Sequence, residues 1–200
     1  MLENYAPADC SPDVSLIDSF PIVTCKGRNR KGKVAREIAD KGYCSTKNMH
    51  YYGLKLHNLG FRRKGTIPFP EMMTLSAASE NDYKVFVREF DPYLNNRTVF
   101  ADKSYVDDEF FSNREISQNY QILTPVKLVK GEAECIRQRE KAANDLFSYA
   151  VSAVREPIES FFNWLNTKTK IQAAQTVRST AGLLVHIFAK MATAFVYLIF

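Results

Sequence analysis

Apolar positions recur along this chain with two different periods, and the change between them divides it. Asp13 to Thr24 (DVSLIDSFPIVT) is a mostly apolar run that predicts a strand, with Asp18 set in its middle. Tyr51 to His57 (YYGLKLH) alternates and predicts a second strand; Thr66 to Ser76, opened by Pro68 and Pro70, predicts a third. From Asn81 to Phe90 the spacing of Tyr83, Phe86, Val87 and Phe90 turns helical, with Asn81 or Asp82 as the cap. Arg97 to Ala101 predicts a short strand ending at Asp102, Asp107 to Ser112 begins a short helix, and Tyr120 to Val126 returns to strand. From Gly131 to Tyr149 the sequence is charged and helical. A last pattern opens near Glu156 and Pro157, with proline suited to a first turn, and buries Ile158, Phe161, Phe162 and Leu165. Met1 to Pro12 reads as a tail, and Cys25 to Ser45, basic and punctuated by glycine, as an extended loop.

This order predicts one α/β domain over residues 13–200, a mixed central β-sheet flanked by helices with an all-helical C-terminal part. The segment from Ala181 to Phe200 is about long enough to span a bilayer. His186 and Lys190 interrupt it, however, and Leu184, Ile187, Phe188, Met191, Phe195 and Leu198 keep helical spacing, which favours a helix packed on the core over a membrane span. The first residues carry no basic start or apolar stretch of a signal peptide, and the four cysteines form no CxxC pair. A reduced, cytoplasmic chain is expected.

The charge is concentrated rather than spread. Between Lys26 and Lys64 stand twelve basic residues, Arg28, Arg30 and Lys31 among them, against only Glu37 and Asp40, so this stretch carries +10 and outweighs a net −5 in the rest of the chain, giving +5 overall. Such a segment suits neutralisation of DNA phosphates through counterion release, and equally a solvated loop.

Three acids stand out by position. Asp18 lies inside an apolar strand, which is costly unless a basic partner or a metal ion compensates it. Asp102 ends a strand. Glu159 falls in the first turn of the predicted late helix, about 100° around the wheel from Ile158 and so at the margin of its buried face. Three hard oxygen ligands from separate elements can hold two divalent ions for attack on phosphorus. Arg155, four residues before Glu159, is placed to stand beside it. Lys55 and His57 share one face of their strand, where they approach phosphate or orient a carboxylate; a partly buried histidine beside an exposed lysine is the other reading of His57. Trp164 reads as packing.

Four stretches in order make the chain resemble the DDE-type transposases of bacterial insertion sequences: IDSFPIVTCK (17–26), GYCSTKNMHYYGLKLH (42–57), FADKSYV (100–106) and REPIESFFNWL (155–165). The resemblance implies a ribonuclease H-like fold, with Asp18, Asp102 and Glu159 as catalytic residues binding Mg²⁺ or Mn²⁺, two ions in all. It also implies Arg155, Lys55, His57, Lys26, Arg28, Lys103 and Lys168 as DNA contacts. The implied activity is metal-dependent cleavage of double-stranded DNA at transposon ends and strand transfer into a target, with a homodimer on DNA. A nuclease of the same fold without strand transfer, or an inactive DNA-binding remnant, are the alternatives. Ser152 and Asn166 occupy positions where the family often has Tyr and Lys, and Ser104 replaces a usual glycine. Only seventeen residues precede Asp18, so an N-terminal DNA-recognition region is expected to be absent and recognition of element ends to be poor.

Overall fold

In the computed structural model of the chain, the apolar run around Asp18 is the central strand, β1 (Cys10–Lys26), of a six-stranded mixed sheet. The structure describes residues 5–28, 32–45, 47–127 and 134–200; Arg30, Lys31 and Gly131 lie outside them. Strand β1 pairs antiparallel with β3 (Met49–Arg63), whose other edge carries β2 (Asp40–Cys44) and β4 (Phe69–Ala77). On its far side β1 runs parallel to β5 (Arg97–Phe100), which is parallel to β6 (Tyr120–Leu123). Helix α1 (Asp82–Glu89) follows β4, and α2 (Asp108–Gln118) lies between β5 and β6. The chain ends in α3 (Glu134–Thr169) and α4 (Thr180–Ile199). This curled mixed sheet with helices is compatible with a ribonuclease H-like fold.

Alternation along β1 assigns its side chains to two cores. Leu16, Phe20 and Ile22 pack with Ile158, Phe161, Phe162 and Leu165 of α3 and with Leu183, Ile187 and Ala194 of α4. Ile17, of opposite parity, joins Leu59, Phe86 and Phe90 in the cluster formed with α1. A strand with both faces covered has few polar positions, and period two therefore puts Asp18 on the α3 side, between Leu16 and Phe20. Asn81 caps α1 as expected, accepting from the amides of Tyr83 and Lys84.

Several expectations are corrected. The stretch from Cys25 to Ser45 is not all loop, since Asp40–Cys44 forms β2 against β3. Its DKGYC sequence lacks any apolar alternation, and backbone pairing at a sheet edge holds it. The first strand starts at Cys10, inside the expected tail, and β3 runs beyond both ends of the expected Tyr51–His57. Glu156 and Pro157 do not open a helix; they lie deep inside α3, so Glu159 is not in a first turn. Proline there leaves the carbonyl of Ala153 without its i+4 donor, and the packing of Ile158, Phe161 and Leu165 offsets that cost.

Helix α4 is long and apolar enough to cross a membrane by composition. Its inner face, Leu183, Ile187 and Ala194, is buried on the core, while Val185, Phe188 and Val196 stand exposed, so the expected face including Phe188 is only partly the buried one. His186 Nε2 donates to the carbonyl of Ile171 at 3.0 Å, and Lys190 Nζ donates to that of Thr169. Lys190 thus serves the open C-terminal end of α3, where cations are favoured, and His186 the turn just beyond it.

The α1–α2 side is tied by one buried acid. Asp91, 2% exposed, accepts from the Tyr120 hydroxyl and pairs with Arg114 at 2.7 Å. Asp91→Ala leaves both partners without their acceptor, and an unfolding free energy lower by about 3–5 kcal/mol is expected in urea titration. A loss under about 1 kcal/mol would show that the network does not hold this end of the sheet.

Candidate active site

Three different elements bring the three sequence-predicted acids to one cavity. The parallel register of β1 and β5 pairs Leu16 with Phe100. Two residues further along each chain come Asp18 and Asp102, the latter just past the end of β5. Across from them α3 presents Arg155 and Glu159, one turn apart. Asp18, Asp102, Arg155 and Glu159 all line a cavity of about 570 Å³, together with Lys55, Asp82 and Asn166. Acids at the carboxyl ends of neighbouring parallel strands are well placed for ligand binding, because the sheet below fixes them and the cleft above is open.

Arg155 stands between two of the acids. Its Nη1 donates to Asp18 Oδ2 at 2.8 Å, and its Nη2 donates to Glu159 Oε1. One guanidinium and two hydrogen bonds cap the separation of those oxygens at roughly 8 Å. Among the described residues, no three acidic, histidine or cysteine side chains already form a ready ligand group, and Arg155 occupies the space between Asp18 and Glu159. Asp102 is held differently: its Oδ1 accepts from the amide and hydroxyl of Ser104, capping a short turn at Lys103–Tyr105. Ser104 therefore orients the second acid.

Burial pushes the Asp18 carboxyl up to about 7. The Arg155 charge and the Ser19 amide, which donates to Asp18 Oδ1 at 2.7 Å, pull it down, and the charges of Asp102 and Glu159 raise it again. Burial is thus the dominant cause, and the Arg155 guanidinium offsets it only in part. Tyr105 lies beneath the site, fully buried. Burial, with the charges of Asp82, Asp18 and Asp102, holds its hydroxyl well above the ordinary phenol range.

The other predicted residues divide. Lys55 lines the cavity; Lys26, Arg28, Lys103 and Lys168 are exposed and outside its lining, with Lys168 over the Tyr197 ring. His57 is completely buried, its Nε2 at 2.8 Å from Ser76 Oγ, and burial pushes its pKa down to about 4. It has no access to a DNA phosphate, so its expected contact is withdrawn in favour of the buried reading. Trp164 packs on the core beside Phe161, as expected. Asn166 lines the cavity, and its Oδ1 accepts from the Gln172 amide. Asp82, Ser19 and Tyr105 are neighbours of the acids that the sequence did not single out; only the closeness of Ser19 to Asp18 was visible there.

Compared with known protein families, residues 9–195 of the chain match the family model described as Transposase DDE domain. No curated protein and no solved structure matches it.

Proposed function

Because the chain belongs to the transposase DDE domain family, we propose that it is the catalytic domain of a bacterial insertion-sequence transposase, cutting double-stranded DNA at element ends and joining it to a target. The observation that carries this reading is the gathering of Asp18, Asp102 and Glu159 around one cavity with Arg155 among them. We assign Mg²⁺ or Mn²⁺, as two ions, to these three carboxylates. The donors fit such ions: they are hard oxygens from separate elements, gathered around one cavity. Bound ions would supply activation of the attacking water or 3′-hydroxyl and stabilisation of the leaving oxygen.

The chain's own residues do the rest. Asp18 is fixed by the Ser19 amide and Asp102 by Ser104, so two carboxylates are oriented before any ligand arrives. Arg155, released from Glu159, has the fork geometry to hold a phosphate beside the acids. Lys55 adds a second cation on the cavity wall. Lys26, Arg28, Lys103 and Lys168 are assigned to the DNA backbone outside the cavity. A second copy of the chain completes the assembly on DNA. The outer face of α4 suits it, carrying Val185, Phe188 and Val196 without a charged side chain exposed among them.

Incubation with supercoiled plasmid and a 3′-labelled oligonucleotide, in Mg²⁺ or Mn²⁺, tests the reading. Nicking together with label joined to the plasmid is expected. Nicking without joining would make the chain a nuclease of the same fold, and binding without nicking an inactive remnant. Light scattering of the same samples should read a dimer on DNA. For the backbone contacts, replacing Lys26 and Arg28 by Ala should flatten the slope of log affinity against log salt by about 0.9 per residue. An unchanged slope would remove them from the interface.

A further inference from the structure

The cavity's lysine is held in place by an acid that belongs to no motif. Asp82 Oδ1 accepts from Lys55 Nζ at 2.7 Å, and its Oδ2 accepts from Ser19 Oγ at 2.9 Å. Lys55 Nζ also donates to the carbonyl of Glu80 at 2.8 Å. The amide of the same Ser19 donates to Asp18. One carboxylate therefore links β3, α1 and β1 beside the proposed catalytic acids. Its side chain is 17% exposed and that of Lys55 16%, so the pair is neither a solvated surface bridge nor fully buried.

An acid in a first helical turn has an ordinary explanation, attraction to the helix N-terminus. Here Asn81 already caps α1, and both Asp82 oxygens reach across to other elements instead. An ammonium has three N–H donors. Two of those on Lys55 are taken by Asp82 and Glu80, leaving one for the cavity that Lys55 lines.

We propose that Asp82 is a positioning residue of the cleavage site, acting through Lys55, which it aims at a DNA phosphate, and through Ser19, which fixes Asp18. The inference rests on the function proposed above. Asp82→Asn keeps the size of the side chain but removes the charge that holds Lys55 and replaces one acceptor by a donor, so the Ser19 hydroxyl can no longer donate to it as it does to the carboxylate. At saturating DNA the cleavage kcat should fall about tenfold or more, the scale of losing charge-assisted hydrogen bonds. KM should not rise, because removing a negative charge weakens repulsion of DNA. In a Lys55→Met background the same change should cost far less than in the wild type, since the pathway through Lys55 is already cut.

Asp82→Ser, a side chain that helix starts accept, serves if the amide variant does not fold, and is expected to show the same split between kcat and KM. Wild-type kcat in the folded variant, or losses from Asp82→Asn and Lys55→Met that multiply independently, overturns the inference alone. A wild-type chain that does not cleave DNA overturns the proposed function and this inference with it.

Discussion

Asp18→Asn is expected to abolish metal-dependent DNA cleavage, by a factor of about 10³ or more, while making the fold more stable at neutral pH. Both effects arise from the same burial. Burial pushes the carboxyl of Asp18 up to about 7 in the folded chain, against about 3.9 for a free aspartate. Below pH ~4 both folded and unfolded forms hold the proton, and the group contributes no pH dependence. Between there and pH 7 the folded chain holds a proton the unfolded chain has lost, so stability declines as pH rises, and above 7 the whole penalty is present. Its size is on the order of 2–4 kcal/mol at one-fifth side-chain exposure. Asparagine carries no such charge. In EDTA the variant should melt above wild type at pH 8, with the difference shrinking towards pH 4. Adding Mg²⁺ at ten times its Kd should return about 1.4 kcal/mol to wild type and nothing to the variant. A variant that melts below wild type at pH 8, or still cleaves, contradicts the placement of Asp18.

Gly53→Ala is expected to lose at least about 3 kcal/mol, enough to leave little folded protein if the native margin is small. A Cβ at Gly53 would lie 2.0 Å from the carbonyl oxygen of Ile22. That oxygen is backbone of β1, beside the Val23–Gly53 pair and next to a register shift, so it cannot withdraw without opening the centre of the sheet. Gly65→Ala is the matched control. A Cβ there meets nothing within 4 Å, and its cost of about 1 kcal/mol comes from its left-handed backbone with φ +73°. Urea midpoints for the two variants should differ clearly; equal shifts would mean that Gly53 is not wedged against β1.

Much of this architecture was legible because it is periodic. The β-rich run around Asp18, the strand that stops before Asp102, and the helical spacing of Ile158, Phe161 and Leu165 each announce their element and the face it buries. Local rules failed where a longer-range contact decides. Pro157 resembles a helix start, and only the packing of the residues around it shows the helix passing through. Asp40–Cys44 has no pattern of its own and becomes a strand because β3 offers it an edge. Asp82 was read as a possible cap because its true partners, Ser19 and Lys55, lie 63 and 27 residues away in sequence. Ser19 and Asp102 illustrate the middle case, in which the acid was visible and the groups that aim it were not.

No residue of helix α4 lines the cavity of the three acids, yet Lys190 closes the end of the helix that carries Glu159, His186 holds the turn just past it, and Leu183 and Ile187 cover its inner side. A chain ending just after Ser179 would therefore keep Asp18, Asp102 and Glu159 and still lose the packing that supports the helix carrying Glu159. The last helix is thus a structural support for a cavity it does not line.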